Sequence, residues 1–119
     1  MQYMLLCCFD ETRWAQLPDA QKGQIMQEYS EFIQGIVESG HYRAGAQLQP
    51  TSLATTVREP HGKRMITDGP FAETKEQLGG YHIIECQDLE EALAIAGRIP
   101  TLRVGGVIEV RPVVPPSER

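Results

Sequence analysis

The chain has 119 residues, of which 41% are hydrophobic and 23% charged, and its 16 acidic against 11 basic side chains give a formal charge of -5. This length and composition predict one small globular domain with a radius of gyration of about 13–14 Å. The acidic balance argues against general nucleic-acid binding, which needs a basic face. The apolar run from Tyr3 to Phe9 follows no basic segment and is too short to span a membrane, so we expect no membrane partner.

The three cysteines do not form a recognisable disulfide framework, because their number is odd and two of them are adjacent. We therefore expect free thiols and a cytoplasmic location. Cys7 and Cys8 point to opposite faces of a strand and cannot share one tetrahedral metal ion. The sequence also lacks zinc, dinucleotide and phosphate-loop patterns, so it predicts neither a metal site nor a cofactor.

The first half of the chain predicts two strands around a long helix. Residues 2–9 form a β-prone apolar run, and apolar residues recur at helical spacing from Ile25 to Val37. Gly40 suits the left-handed position that ends such a helix. Residues 41–49 then predict a second strand, and the glycine at position 45 suggests that this strand contains a bulge.

The second half begins with a predicted hairpin, formed by residues 53–58 and 64–67 around a turn that contains proline and glycine. Residues 79–86 predict another strand, and Asp88 begins a helix that ends before Pro100. Its predicted buried stripe contains two leucines and two alanines, and residues 106–113 predict the last strand.

This order, β-α-β, hairpin, β-α-β, predicts an α+β fold. It is a ferredoxin-like βαββαβ sandwich with an inserted β-hairpin, in which an antiparallel sheet carries both helices on one face. We expect one domain over residues 1–113 and a flexible tail over residues 114–119, where prolines follow the last strand.

Both faces of the first strand are apolar, which two helices on one side of the sheet do not explain. Tyr3 and Leu5 belong to one face, and Met4 and Leu6 to the other. We therefore predict a homodimer whose facing sheets enclose a cavity, a dimeric α+β barrel. The rival explanation is that the inserted hairpin folds over the open face.

The candidate catalytic residues are Asp68 and His82. His82 shares a strand face with apolar residues, so it lies either beneath the helices or in the dimer cavity, as a core histidine or as a base. Asp68 begins a rigid turn in which glycine and proline follow, and its carboxylate can accept hydrogen bonds from the next amides. The turn presents Phe71 and Lys75, which either border a ligand cavity or form a solvated rim.

Three further residues are candidates for ligand binding. Tyr81 stands beside His82 on the same predicted strand. Glu109 and Arg111 are two residues apart on the last strand and share a face, so they form an ion pair that either points into the cavity or stays exposed.

The segment from Thr67 to Glu76, followed by Leu-Gly-Gly-Tyr, resembles the signature of YCII-related proteins of the DGPF-motif group, a family of small bacterial domains. Residues 88–92, the Ile99-Pro100 pair and residues 108–112 match that family as well. The resemblance implies a ferredoxin-like fold and a dimeric barrel. Genes of this family often accompany those of extracytoplasmic-function sigma factors, so the resemblance also makes a sigma factor a candidate partner. It does not imply an assigned activity.

Shorter members of the family carry a proposed histidine and aspartate pair, one on the first helix and one before the proline that ends the second. On this pattern Tyr29 occupies the histidine position and Ile99 the aspartate position, so the pair is absent here. Three hypotheses stay open: a cofactor-free enzyme acting on a small molecule in a dimer cavity, a non-catalytic ligand-binding or sigma-factor-associated regulatory module, and a purely structural dimer.

Overall fold

The chain contains six strands, three α-helices and four short 3-10 helices, and the computed structural model describes residues 1–119. The strands are β1 (Gln2–Phe9), β2 (Tyr42–Gln47), β3 (Thr55–Arg58), β4 (Met65–Asp68), β5 (Gln77–Glu85) and β6 (Val107–Pro112), and the helices are α1 (Glu11–Ala15), α2 (Asp19–Glu38) and α3 (Leu89–Ala96).

Four of the strands form one antiparallel sheet in the order β2-β5-β1-β6. The other two, β3 and β4, pair only with each other. Without that inserted hairpin, the strand order and the two long helical connections are those of a ferredoxin-like βαββαβ fold. The predicted α+β architecture is confirmed.

The core lies between the helices and one face of the sheet. Tyr3, Leu5 and Cys7 alternate with half-buried residues along β1 and are themselves buried. Phe32 and Ile36 of α2 pack against them. Helix α3 contributes Ala92, Ile95 and Ala96 to the core. Leu89 and Leu93 were expected in its buried stripe, but both are exposed. The buried stripe runs through Ile95 and on to Ile99 instead.

The ends of α2 follow from its local sequence. Gly40 adopts φ +82°, and the amides of Gly40 and His41 bond the carbonyls of Val37 and Ile36. This pairing is the Schellman arrangement, so the predicted stop is confirmed. The sequence prediction missed α1, a single helical turn too short for periodicity, although Asp10 caps its amides at 3.0 and 3.3 Å.

The face of the sheet opposite the helices has no covering layer. We call this face the open face, and β1 contributes Met4, Leu6 and Cys8 to it. The hairpin β3–β4 does not fold onto the open face, since the extensive contacts of the hairpin are between its own two strands. The molecule measures 47 × 46 × 18 Å. Its radius of gyration, 16.3 Å, exceeds the predicted value because the hairpin extends outward instead of adding to the globule.

None of the helices combines the length and the hydropathy that a membrane crossing requires.

Candidate functional site

A cleft of about 470 Å³ opens between α2 and the helix-facing side of the sheet. We call it the helix-side cleft. No charged side chain lines it. Its lining residues are Cys7, Phe9, Trp14, Met26, Tyr29, Ser30, Ile33, Tyr42, Gly45, Ala46, Gln47, Gly79, Gly80, His82 and Thr101.

Three polar side chains meet at the floor of this cleft. The phenolic oxygen of Tyr29, on α2, lies 2.5 Å from Nε2 of His82, on β5. The same oxygen lies 3.5 Å from Sγ of Cys7, on β1. His82 is only 6% exposed, and its ring stands beside those of Tyr29 and Phe32, with centroid distances of 5.6 and 6.2 Å. The sheet and α2 thus hold one phenolic hydroxyl between an imidazole and a thiol.

The second ring nitrogen of His82 has no partner. Nδ1 is buried and makes no hydrogen bond within the chain. Gly45 lets Nδ1 approach the backbone of β2, because a Cβ at residue 45 would lie only 2.7 Å from Nδ1. The predicted bulge of this strand is present between Tyr42 and Ala44, and Gly45 itself permits the close approach of the imidazole.

Burial keeps this cluster uncharged. Desolvation lowers the pKa of His82 and raises the pKa values of Tyr29 and Cys7. The contact between Tyr29 and Cys7 also affects the pKa values of these two groups. At neutral pH the cleft floor therefore presents a neutral imidazole, a neutral phenol and a thiol. A neutral imidazole can donate with one nitrogen and accept with the other.

The mouth of the cleft is shaped by a β-bulge. The pairing of β1 with β5 shifts between Cys7 and Cys8, opposite Gly79. A Cβ at Gly79 would overlap the ring of Phe9, so the glycine lets that ring lie across the strand. The Phe9 and Trp14 rings are 6.2 Å apart and form an aromatic wall.

The structure does not bring Asp68 and His82 together. Asp68 is exposed on β4, in the two-stranded sheet, and is not part of the cleft lining. The turn after it is held by other residues: the Ala54 carbonyl accepts from the Gly69 amide at 2.7 Å, and the Thr56 hydroxyl donates to the Gly69 carbonyl at 2.7 Å. The expected hydrogen bonds to the Asp68 carboxylate are not among these contacts.

Phe71 lies in a different place from His82. It is 77% exposed and lines a second cavity of about 540 Å³, which also contains Cys8, Thr74 and Glu76. Lys75 is exposed and lines neither cavity. The turn that follows Asp68 therefore borders a space outside the helix-side cleft.

The other three predicted binding residues lie on the open face. Tyr81 and Glu109 are both cross-strand neighbours of Leu6, and Arg111 is opposite Met4. Arg111 and Glu109 form an ion pair at 3.8 Å whose side chains are 70% and 60% exposed. Of the seven predicted site residues, His82 alone lines the helix-side cleft.

A second histidine cluster has the composition of a catalytic triad but not its setting. Nδ1 of His41 lies 2.7 Å from the Ser39 hydroxyl, and Nε2 lies 3.2 Å from a Glu91 carboxylate oxygen. Ser39 caps the C-terminus of α2, where exposed carbonyls repel a developing oxyanion. These residues line neither described cavity, so they join α2 to α3 without forming a candidate site.

A model of the YCII-related domain matches residues 1–117. The chain belongs to the YCII-related family. It is also 38% identical over 114 residues to an uncharacterized protein of Rhizobium meliloti (strain 1021), an alignment that covers 95% of this chain and 92% of that protein.

Within this YCII-related domain, the two positions of the family's histidine and aspartate pair lie in different environments. Ile99 is 1% exposed and belongs to the core. Tyr29 lies in the cleft and contacts His82. Tyr29 lies within the helical spacing of apolar residues from Ile25 to Val37, and its phenolic group was the available signal in the sequence, because a buried hydroxyl needs a partner.

Proposed function

We propose that this YCII-related protein is a cofactor-free enzyme that acts on an uncharged small molecule in the helix-side cleft, with His82 as the catalytic residue. One observation carries the proposal: Nδ1 of His82 is buried and unpartnered within the chain, at the floor of an otherwise largely apolar cleft. Buried polar atoms are nearly always satisfied, so such an atom beside a cavity indicates a place for a ligand group.

The lining of the cleft defines what enters it. Its walls include Phe9, Trp14, Met26 and Ile33, and its lining contains no charged side chain. An ionised ligand would lose its hydration there without gaining a counter-charge, which is costly. The volume of about 470 Å³ falls in the range of small-molecule sites.

His82 and Tyr29 have different roles in this proposal. Nδ1 of His82 contacts the bound molecule, and because burial lowers the pKa of His82, the imidazole is neutral at physiological pH and can exchange a proton. Tyr29 is a positioning residue, since its hydroxyl meets Nε2 and fixes which nitrogen carries the proton.

Turnover tests the proposal directly. Wild-type protein and His82→Gln are incubated with uncharged lactones, quinones and organic peroxides, and products are followed by NMR. We expect conversion of one class by the wild type and its loss in His82→Gln. The control is Asp68→Asn, which should retain full activity because Asp68 lies outside the cleft. Equal activity of His82→Gln and wild type would remove His82 from the mechanism.

A second function is a non-catalytic ligand-binding or regulatory module. It is favoured by one specific feature: no carboxylate lines the cleft, so nothing in it raises the basicity of His82. In this case wild-type protein binds uncharged ligands, as a rise in unfolding temperature shows, without converting them. Co-purification with an extracytoplasmic-function sigma factor would support a regulatory role for that module.

The open face supports a homodimer. Met4, Leu6, Tyr81 and Ile83 are half-buried on this face and adjoin through β-pairing, with no covering layer in a single chain. A second copy with the same apolar surface can cover it by two-fold symmetry. Glu109 and Arg111 then belong to the space between the two sheets, and their ion pair becomes less exposed.

Sedimentation velocity tests this assembly. We expect dimers for the wild type and monomers for Leu6→Lys, which places a charge at the centre of the open face. Leu93→Lys is the matched control, because Leu93 is exposed on α3 and should leave the dimer intact. A monomeric wild type at micromolar concentration would contradict the assembly.

We propose a cytoplasmic location for the protein, because its three thiols are free.

A further inference from the structure

We propose that the ligand of the helix-side cleft binds through a carbonyl oxygen that accepts hydrogen bonds from Nδ1 of His82 and from the hydroxyl of Tyr42. The inference rests on the proposed function and deepens it by naming the ligand class, an uncharged carbonyl compound. It follows from where protons reside on the floor of the cleft and from where two donors converge.

The contact between Tyr29 and His82 determines which imidazole nitrogen carries the proton. Either the phenol donates to Nε2, or Nε2 donates to the phenol oxygen and the hydroxyl then donates to Cys7. The first arrangement is favoured, since a phenolic O–H is a stronger donor than a neutral imidazole N–H and sulfur is a weak acceptor. Nε2 is then the acceptor, at 2.5 Å, and the proton of the neutral ring is on Nδ1.

Nδ1 of His82 is therefore a buried N–H without an acceptor. Such a donor costs free energy when left unpaired, and a carbonyl oxygen of the ligand satisfies it. A ligand hydroxyl can also accept, but it brings a proton of its own, and the floor already holds the donors. The missing group is an acceptor.

A second donor lies close to Nδ1. The position that a Cβ would take on Gly45 is 2.7 Å from Nδ1 of His82, 2.9 Å from the backbone carbonyl oxygen of Tyr81 and 3.3 Å from the hydroxyl oxygen of Tyr42. Nδ1 and the Tyr42 hydroxyl are therefore neighbours beside Gly45, and the lining of the cleft includes Tyr42, Gly45 and His82.

Two donors in a cleft without charged side chains suit a carbonyl oxygen better than an anion. A carboxylate would arrive with a full charge and find no cation in the lining. A carbonyl oxygen arrives neutral, and any negative charge it develops during a reaction is stabilised by the two donors, as in an oxyanion hole.

Two ligands that differ in one group test the inference: 2-tetralone, a neutral ketone, and its alcohol, 2-tetralol. Protein with nitrogen-15 in its histidines is titrated with each and followed by NMR. In the free protein we expect the His82 proton on Nδ1. The ketone should move the Nδ1 signal and bind roughly tenfold more tightly than the alcohol, the effect of about one hydrogen bond. In Tyr42→Phe that preference should shrink.

A steric variant gives an independent measurement. Gly45→Ala places a methyl group 2.7 Å from Nδ1 of His82 and 3.3 Å from the Tyr42 hydroxyl, which displaces both donors and should abolish the preference for the ketone. Gly23→Ala, where an added Cβ contacts nothing within 4 Å, should keep it. A proton on Nε2 of His82 in the free protein would overturn the inference. Equal affinity for both ligands, or binding of neither by the wild type, would overturn it as well.

These outcomes are separate from the fate of the proposed function. Preference for the ketone without turnover of any substrate class leaves the carbonyl site in place and refutes the enzyme. Turnover that depends on His82 without preference for the ketone leaves the enzyme in place and refutes the carbonyl site.

Discussion

Tyr29 and His82, separated by 53 residues in the sequence, meet at 2.5 Å across the boundary between α2 and the sheet. Each residue is the main polar partner of the other at the floor of the helix-side cleft, which no charged side chain lines. The pair therefore contributes both to the stability of the fold and to the chemistry of the cleft.

Tyr29→Phe should destabilise the protein by about 1–3 kcal/mol, because it leaves both imidazole nitrogens of a buried histidine unpaired. Urea denaturation followed by circular dichroism measures the loss. Tyr42→Phe is the matched control and should change stability by less than about 0.5 kcal/mol. Equal losses in the two variants would show that the Tyr29 hydroxyl does not support His82.

Acid should destabilise the protein through His82. Burial lowers the pKa of His82 from its ordinary value of 6.5, so below that value the unfolded chain binds more protons than the folded chain. The contribution of His82 is complete above 6.5 and is lost as the pH falls through the lowered folded pKa. Unfolding midpoints at about pH 7.5 and about pH 5 measure it.

In His82→Gln the fall in stability with acid should be smaller than in the wild type. His61→Gln should retain the wild-type dependence, because His61 is exposed at the hairpin tip. A wild-type pH dependence in His82→Gln would place the titrating group elsewhere.

The three thiols should differ in reactivity. Cys7 and Cys86 are buried, and burial, with Glu91 next in importance, raises the pKa of Cys86 to about 11. Cys8 is half-buried on the open face, and burial raises its pKa too. At about pH 8, iodoacetamide should label Cys8 first in the monomeric variant Leu6→Lys, in which the open face is uncovered, and the other two thiols only on unfolding, because access limits them. Mass spectrometry identifies the site, and Cys8→Ser should abolish early labelling; rapid modification of Cys86 would contradict its burial.

Gly79→Ala should cost about 1–3 kcal/mol, because the added methyl overlaps the Phe9 ring and forces it or the strand to move. Gly23→Ala should instead stabilise the protein by up to about 1 kcal/mol, since that helical glycine has open space around it. Thermal unfolding compares the two variants. A neutral Gly79→Ala would mean that the aromatic wall of the cleft rearranges freely.

The fold was predictable because its signals are local. The apolar run of residues 2–9, the helical spacing from Ile25 to Val37 and the stop at Gly40 correspond in the structure to β1, to α2 and to the end of α2. The site was only partly predictable, because the partners of His82 are distant in sequence. The sequence identified His82 as inward-facing but had no means to place Tyr29 and Gly45 against its two nitrogens, since that depends on the register of β2 and the position of α2.

The motif around Asp68 is the densest local pattern in the sequence, but it lies outside the cleft. Its glycine and proline define a turn, and the structure confirms that turn, with Gly69 at φ +95°. Rigid local geometry is a property of the backbone and does not indicate which side chains converge. Asp68 and His82 belong to different sheets, which local sequence patterns do not show.

The molecule is 18 Å thick along its shortest axis, and 15 of its 119 residues are buried. Almost no part of such a plate is remote from a surface, so the apolar area it removes from water by itself is small. Occupancy of the cleft or cover on the open face then adds directly to the free energy of unfolding. For a protein of this shape, the melting temperature measures binding. Its dependence on ligand concentration shows whether the cleft is occupied, and its dependence on protein concentration shows whether the open face is covered.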